Sequence, residues 1–174
     1  MENAKFQPSF VTTGNPASVN ESAALQHLPG QLGCTVEVGN KKWQYVLLDT
    51  GAVAAATPGV VAANDVAYWK DRTNYLVTND ERMSEAGVNG VAGVFGCAVT
   101  AGYYCFIQRG GRASVYQDTG TAAAGTVGSG STASTCGLVF TTVGTAPINL
   151  PVAVALGAAA TNMVSVELLL DPIR

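Results

Sequence analysis

At 174 residues the chain has the length of one domain, enough to bury a core without metal or disulfide staples. Only 12% of residues are charged while 48% are hydrophobic, a balance that excludes a disordered chain. A net charge of -3, with nine scattered basic residues and none between Arg112 and Arg174, excludes a phosphate-binding face for nucleic acid.

Met1 to Leu32 is polar and carries Pro8, Pro16 and Pro29 with little periodicity. It reads as an extended N-terminal arm or irregular lead-in, reaching across a neighbouring subunit or loosely packed on its own. It has no apolar core of a secretory signal, so synthesis and folding in a cytoplasm are expected, with reduced cysteines. Residues 33–174 then form a single β-rich domain.

Alternation begins at Thr35 to Val38, turns at Gly39-Asn40 and resumes from Trp43 to Leu48, the pattern of a hairpin. Asp49-Thr50-Gly51 ends that strand, and Pro58-Gly59 marks the next turn. Val60-Val61, Val66 to Trp69 and Tyr75 to Thr78 follow as strands, with Lys70 to Asn74 as a polar turn. Asn79 to Gly87 holds the densest charge, as one helical turn or an exposed loop.

Val88 to Val115 is the stretch around which the rest is organised: two β-rich runs flanking Ala101-Gly102 read as a second hairpin, ending at Gly110-Gly111. Thr119 to Ser134 is a low-complexity tract that reads as a flexible loop. Leu138 to Thr142, Ile148 to Leu156 and Val164 to Leu170 complete the strands. The last is apolar enough to need cover on at least one face. No segment keeps a 3.6-residue period over three turns. The fold class is therefore all-β, a compact β-barrel or β-sandwich of short antiparallel strands.

From Thr119 to Val166 there is no charged residue at all, which points to burial against something, such as another copy of the protein. The longest apolar run, Leu150 to Ala160, is too short for a membrane span and is interrupted by Pro151 and Gly157.

Candidate chemistry is sparse. Cys34, Cys97, Cys105 and Cys136 contain no CxxC pair and His27 is the sole histidine, so no zinc site is expected. A three-residue loop, Thr100 to Gly102, would set Cys97 opposite Cys105, and a two-residue loop would put them on opposite faces; two buried thiols is the favoured reading. Asp-Thr-Gly occurs at Asp49 and again at Asp118. An aspartic protease needs two such loops sharing a proton, and the run VLLDTGA resembles the retropepsin loop, so a homodimer using Asp49 is the enzymatic alternative. Against it, only 69 residues separate the two aspartates, Asp118 follows no apolar pair, and no flap is evident. Ordinary turn chemistry is favoured. Both triplets lead into alanine-rich stretches, DTGAVAAATPG and DTGTAAAGTVG, a weak duplication or a coincidence of low complexity, the latter favoured.

Gly110-Gly111-Arg112 reads as a turn with one solvated arginine, and Asn20-Glu21-Ser22 as a silent glycosylation match. Trp43, Tyr45, Tyr68, Trp69 and Tyr75 form either a carbohydrate platform or, as favoured, core and cross-strand pairs. No catalytic, cofactor-binding or metal-binding residue is assigned.

The run from Gln44 to Leu48, through AAATPGVVAANDVAYWKDRTNYLVTND to VAGVFGCAVTAGYYCFIQRGGRASV, resembles small structural proteins of tailed-bacteriophage heads. With the closing INLPVAVALGAAATNMVSVELLL, the order is similar to capsid decoration, or cement, proteins of the β-barrel type, over roughly residues 35–170. The resemblance implies a non-enzymatic virion protein, assembled in the host cytoplasm, that binds the outside of the capsid and clamps neighbouring major capsid protein subunits. It implies a homo-oligomer, a trimer first and a dimer next, with no cofactor, nucleic acid or membrane. A tail or fibre adaptor is the neighbouring alternative.

Overall fold

The structure is a computed structural model that describes residues 16–22, 32–51, 60–80, 90–130, 137–141 and 151–170. Among the described residues a 3-10 turn, Pro16–Ser18, precedes thirteen strands. These are β1 (Asn20–Ser22), β2 (Thr35–Val38), β3 (Lys41–Leu48), β4 (Val60–Val61), β5 (Val66–Asp71), β6 (Leu76–Thr78) and β7 (Val91–Phe95). They continue with β8 (Val99–Thr100), β9 (Tyr103–Gly120), β10 (Val127–Gly130), β11 (Leu138–Thr141), β12 (Ala153–Ala155) and β13 (Met163–Leu169). The all-β expectation holds, and among the described residues there is no α-helix.

The 18-residue β9 organises everything else, pairing with β1, β3, β7, β11 and β13. Its C-terminal half closes a five-stranded barrel in the order β9-β11-β10-β12-β13 and back to β9. Its N-terminal half closes a second circuit in the order β3-β6-β5-β7-β9 and back to β3. A ring with an odd number of strands cannot alternate direction all the way round, so one neighbouring pair must run parallel. Those pairs are β3 with β6 and β9 with β11, and each is reached only after an intervening strand, as parallel pairing requires. Elsewhere the strands are short and pair antiparallel as expected, with the 18-residue β9 and these two parallel pairs as the exceptions.

Numbered in chain order within each ring, the strands follow one path, first-third-second-fourth-fifth, with the first and third parallel. β9 is the fifth strand of the N-terminal ring and the first of the C-terminal ring. The two Asp-Thr-Gly triplets occupy the same station in this scheme. Leu48, just before Asp49, pairs with Val77 on the parallel partner, and Gln117, just before Asp118, pairs with Leu138 on its parallel partner. That match is what a duplicated β-unit produces, and it weighs against the coincidence favoured from sequence.

Each ring has its own core, and β5 and β7 form the wall between them. Ala67, Trp69, Ala92 and Phe95 pack with Val46, Leu48, Val77, Cys105 and Ile107, whereas Val66, Tyr68, Val91 and Val94 pack with Val115, Leu138, Phe140, Val164 and Val166. Simple alternation would not place both Val91 and Val94 on one side. The β5/β7 register shifts at Ala67/Tyr68, pairing Ala67 with Gly93 and Tyr68 with Val91, so Ala92 is the extra residue of a bulge that resets the alternation. The Tyr68 hydroxyl crosses to the other ring and donates to the Gly137 carbonyl at 3.0 Å.

A third cluster, Trp43, Tyr45 and Phe106, lies on the other face of β3 and β9, covered by Ala17, Val19, Leu32, Cys34 and Val36. Tyr45 stacks on Tyr104 with ring centroids 5.7 Å apart. The candidate carbohydrate aromatics are thus core residues: Trp43, Tyr45, Tyr68 and Trp69 are buried and Tyr75 packs partly buried against them. Residues 16–22 of the expected arm lie on their own chain, with β1 extending the edge of β9 beyond the end of β7.

Three local expectations change. Gly110-Gly111 does not end a strand but sits inside β9 as a kink. The low-complexity tract supplies the end of β9 and the whole of β10, and 131–134 lie outside the described residues. Asn79 and Asp80 are buried rather than exposed, with 81–87 outside the described residues. The central hairpin exists with the three-residue register: Val94 pairs with Gln108 and Phe95 with Ile107, which continued by two residues brings Cys97 level with Cys105. β7 leaves β9 after Phe95, however, and β8 pairs with β4 instead.

Candidate functional site

Asp49 forms a close ion pair with Lys70. Its Oδ2 accepts from Lys70 Nζ at 2.6 Å and from its own turn, the Gly51 N–H, at 3.2 Å. The aspartate therefore closes a turn and ties the end of β3 to β5. Asp118 stands in the other ring, on β9, so the fold gives each aspartate its own ring and does not pair them as a dyad. Cys34, Cys97 and Cys105 are free thiols, and Cys136 lies outside the described residues. Burial pushes the Cys105 thiol well up, with the neighbouring Cys97 adding to it, and burial raises Cys34 and Cys97 as well. Among the described residues no three His, Cys, Asp or Glu side chains gather to hold a metal.

The feature with binding character lies beside the kink in β9. The β3/β9 register shifts between Lys42 and Trp43, which pair with Gly110 and Gln108, leaving Arg109 as the extra residue. Gly111 follows at φ 77°, and a Cβ there would collide with the Asn40 carbonyl oxygen, so only glycine fits against the β2–β3 turn. Gln108 is buried and braces the kink, donating from Nε2 to the Gly110 carbonyl at 3.0 Å and to the Arg112 carbonyl at 2.8 Å. Arg109 turns the other way, to Gln44 Oε1 at 2.7 Å and the Leu170 carbonyl at 3.1 Å.

This leaves a break in one edge of β9. β3 and β13 both pair with Gly110, so they occupy opposite edges. On β13, Ser165 and Leu169 direct their main-chain groups to Leu156 and Val152 on the β12 side, while Asn162 accepts from Gln117 of β9. Alternation then makes Ala113 and Val115 the residues of β9 that bond β13, and points the main-chain groups of Arg112, Ser114 and Tyr116 to the opposite edge. There the Arg112 carbonyl is taken by Gln108, and the Tyr116 N–H donates to Asn64 at 3.2 Å. Ser114, between them on that edge, lines a cavity.

That cavity has a volume of about 180 Å³ and is lined by Lys41 and Trp43 of β3, the end of β7, Asn64, Gln108, Ser114 and Ala17. The Lys41 ammonium sits 5.9 Å from the Trp43 ring centroid. Among the described residues no carboxylate lines it. Sequence reasoning assigned no site residue and missed this one, because Lys41 and Ser114 are distant in the chain and only the Gly110-Gly111-Arg112 run marked the place. Searches for similar proteins find no matching family and no matching curated protein.

Proposed function

We propose that the protein is a non-enzymatic capsid decoration, or cement, protein of a tailed bacteriophage, which binds the outer surface of the shell and stabilises contacts between major capsid protein subunits. The observation that carries the reading is the partition of charge between the rings. The strands of the C-terminal ring hold Arg109, Arg112, Asp118 and Glu167, all on β9 and β13, while β10, β11 and β12 carry none. On the other side β2, β3 and β5 carry Glu37, Lys41, Lys42, Lys70 and Asp71. Three consecutive uncharged strands, with Leu156 and Leu169 exposed beside them, suit burial against a protein surface, and the charged strands suit solvent. A standard interface needs only about 800 Å² from each partner, and an oligomer, a trimer first and a dimer next, multiplies such contacts by effective concentration.

The test is co-sedimentation of the purified protein with undecorated expanded capsids of the encoding phage, together with its mass in solution. Saturable binding at a fixed ratio to coat subunits, with a shell more resistant to heat, is the expected result. Failure to bind any capsid form overturns the reading, and binding to isolated tails alone reassigns the protein to a tail or fibre adaptor.

A further inference from the structure

We infer that the cavity beside the β9 kink is an anion site that receives an acidic side chain, aspartate or glutamate, presented by the protein to which this chain binds. The identity of that partner as the coat subunit rests on the decoration reading; the anion site does not. Three independent features converge on one spot. On the broken edge of β9 the Ser114 main chain has no ladder partner among the described residues, Ser114 lines the cavity, and an extended backbone N–H left at such an edge donates to an anion as readily as to a strand. Lys41 supplies the positive charge, and among the described residues no carboxylate is paired with it; its neighbour Lys42 is the one bridged to Glu37, at 3.5 Å. Trp43, Val94 and Phe95 are buried and form the apolar part of the lining, which lowers the local dielectric and strengthens a charge-assisted hydrogen bond formed against them.

Size narrows the occupant. The cavity, about 180 Å³, lies below the roughly 300–1,000 Å³ of pockets that hold cofactors or drug-sized ligands, and it matches one short side chain. The aromatic wall and Gln108 accommodate the methylene stem while Lys41 and the Ser114 N–H take the carboxylate. A neutral side chain of the same shape would leave Lys41 unanswered, so discrimination between glutamate and glutamine is the signature.

The experiment has two arms. In the first, isotope-labelled protein is titrated with N-acetyl-glutamate N-methylamide and, separately, with the glutamine analogue, following the Ser114 amide and the Trp43 indole resonances. Saturable shifts with the glutamate compound, lost at high salt and in Lys41→Met, are expected. Equal shifts with both compounds, or none with either, overturn the anion site. In the second, Lys41→Glu and Lys42→Glu are compared with wild type for capsid binding. Loss of affinity by about tenfold or more in Lys41→Glu, with Lys42→Glu close to wild type, is expected for a docked carboxylate. Equal binding by both variants overturns the assignment of the cavity to the partner interface while leaving the decoration reading intact. Absence of capsid binding by wild type counts against that reading alone, and the first arm still decides the site.

Discussion

Replacing Tyr68 with phenylalanine removes a single oxygen from the wall between the two rings. The side chain is fully buried, and its hydroxyl donates to the Gly137 carbonyl at 3.0 Å, a bond from β5 of one ring to the residue preceding β11 of the other. The variant loses the net value of a buried hydrogen bond and leaves the carbonyl short of a donor in an apolar setting. Together these cost about 1–3 kcal/mol. For a domain of this length each kcal/mol lowers Tm by about 2–4 °C, so a fall of about 4–8 °C is expected around the middle of that range. Urea unfolding followed by tryptophan fluorescence, which reports Trp43 and Trp69 of the N-terminal ring, should show the same loss as far-UV circular dichroism, which reports both rings. Tyr103→Phe, at a half-buried ring on β9, serves as the control and should stay within about 0.5 kcal/mol of wild type. A Tyr68→Phe protein as stable as wild type would refute the claim that this bond joins the rings. Two separate transitions would refute the claim that they fold as one unit.

Three further outcomes follow from the same geometry. Gly111→Ala should destabilise by more than about 2 kcal/mol, because a positive φ and a blocking Asn40 carbonyl act together, while Gly125→Ala, at φ 85° with open space around it, should cost only about 1 kcal/mol; thermal melts of the pair test this. Cys105 stays protonated in the folded state above its ordinary value of 9.0, whereas the unfolded chain gives up that proton, so stability from this group is complete below pH 9 and falls as pH rises beyond it. Comparing Tm at neutral and strongly alkaline pH, Cys105→Ala should lose less stability than wild type over that interval. Asp49→Asn should cost about 1 kcal/mol through the weakened contact with half-exposed Lys70, measured by urea titration, and should leave capsid co-sedimentation unchanged.

Much of the strand content was legible because alternation and burial coincide. On β13 the buried residues are Val164, Val166 and Leu168, with Ser165 and Leu169 outward. On β3 the hairpin turn at Gly39-Asn40 set the register with β2. The low-complexity tract misled for a physical reason. Gly128 and Gly130 are not loop residues but the close-packing positions of β10, where a Cβ would press on Phe140 at 3.0 Å and on Val91 at 3.0 Å. The Gly110-Gly111 pair was ambiguous in principle, since glycine marks both a turn and a bulge, and the sequence does not say whether the chain reverses or merely bends. Ring closure and its parallel pairs are properties of the whole circuit and have no local signature. The cavity at Lys41 and Ser114 exists only because β9 bends, so its residues could not be grouped until the kink was known.

The strand common to both rings sets the repeat length of the architecture. A free-standing barrel of this path needs five strands, but a barrel that borrows its neighbour's last strand needs only four new ones. The stations of Asp49 and Asp118 mark that period as 69 residues. Built this way, the two units have no seam at which a linker could be cut: removing either ring takes from the other a strand it cannot close without. The protein is thus a tandem array in its topology and a single indivisible body in its covalent structure.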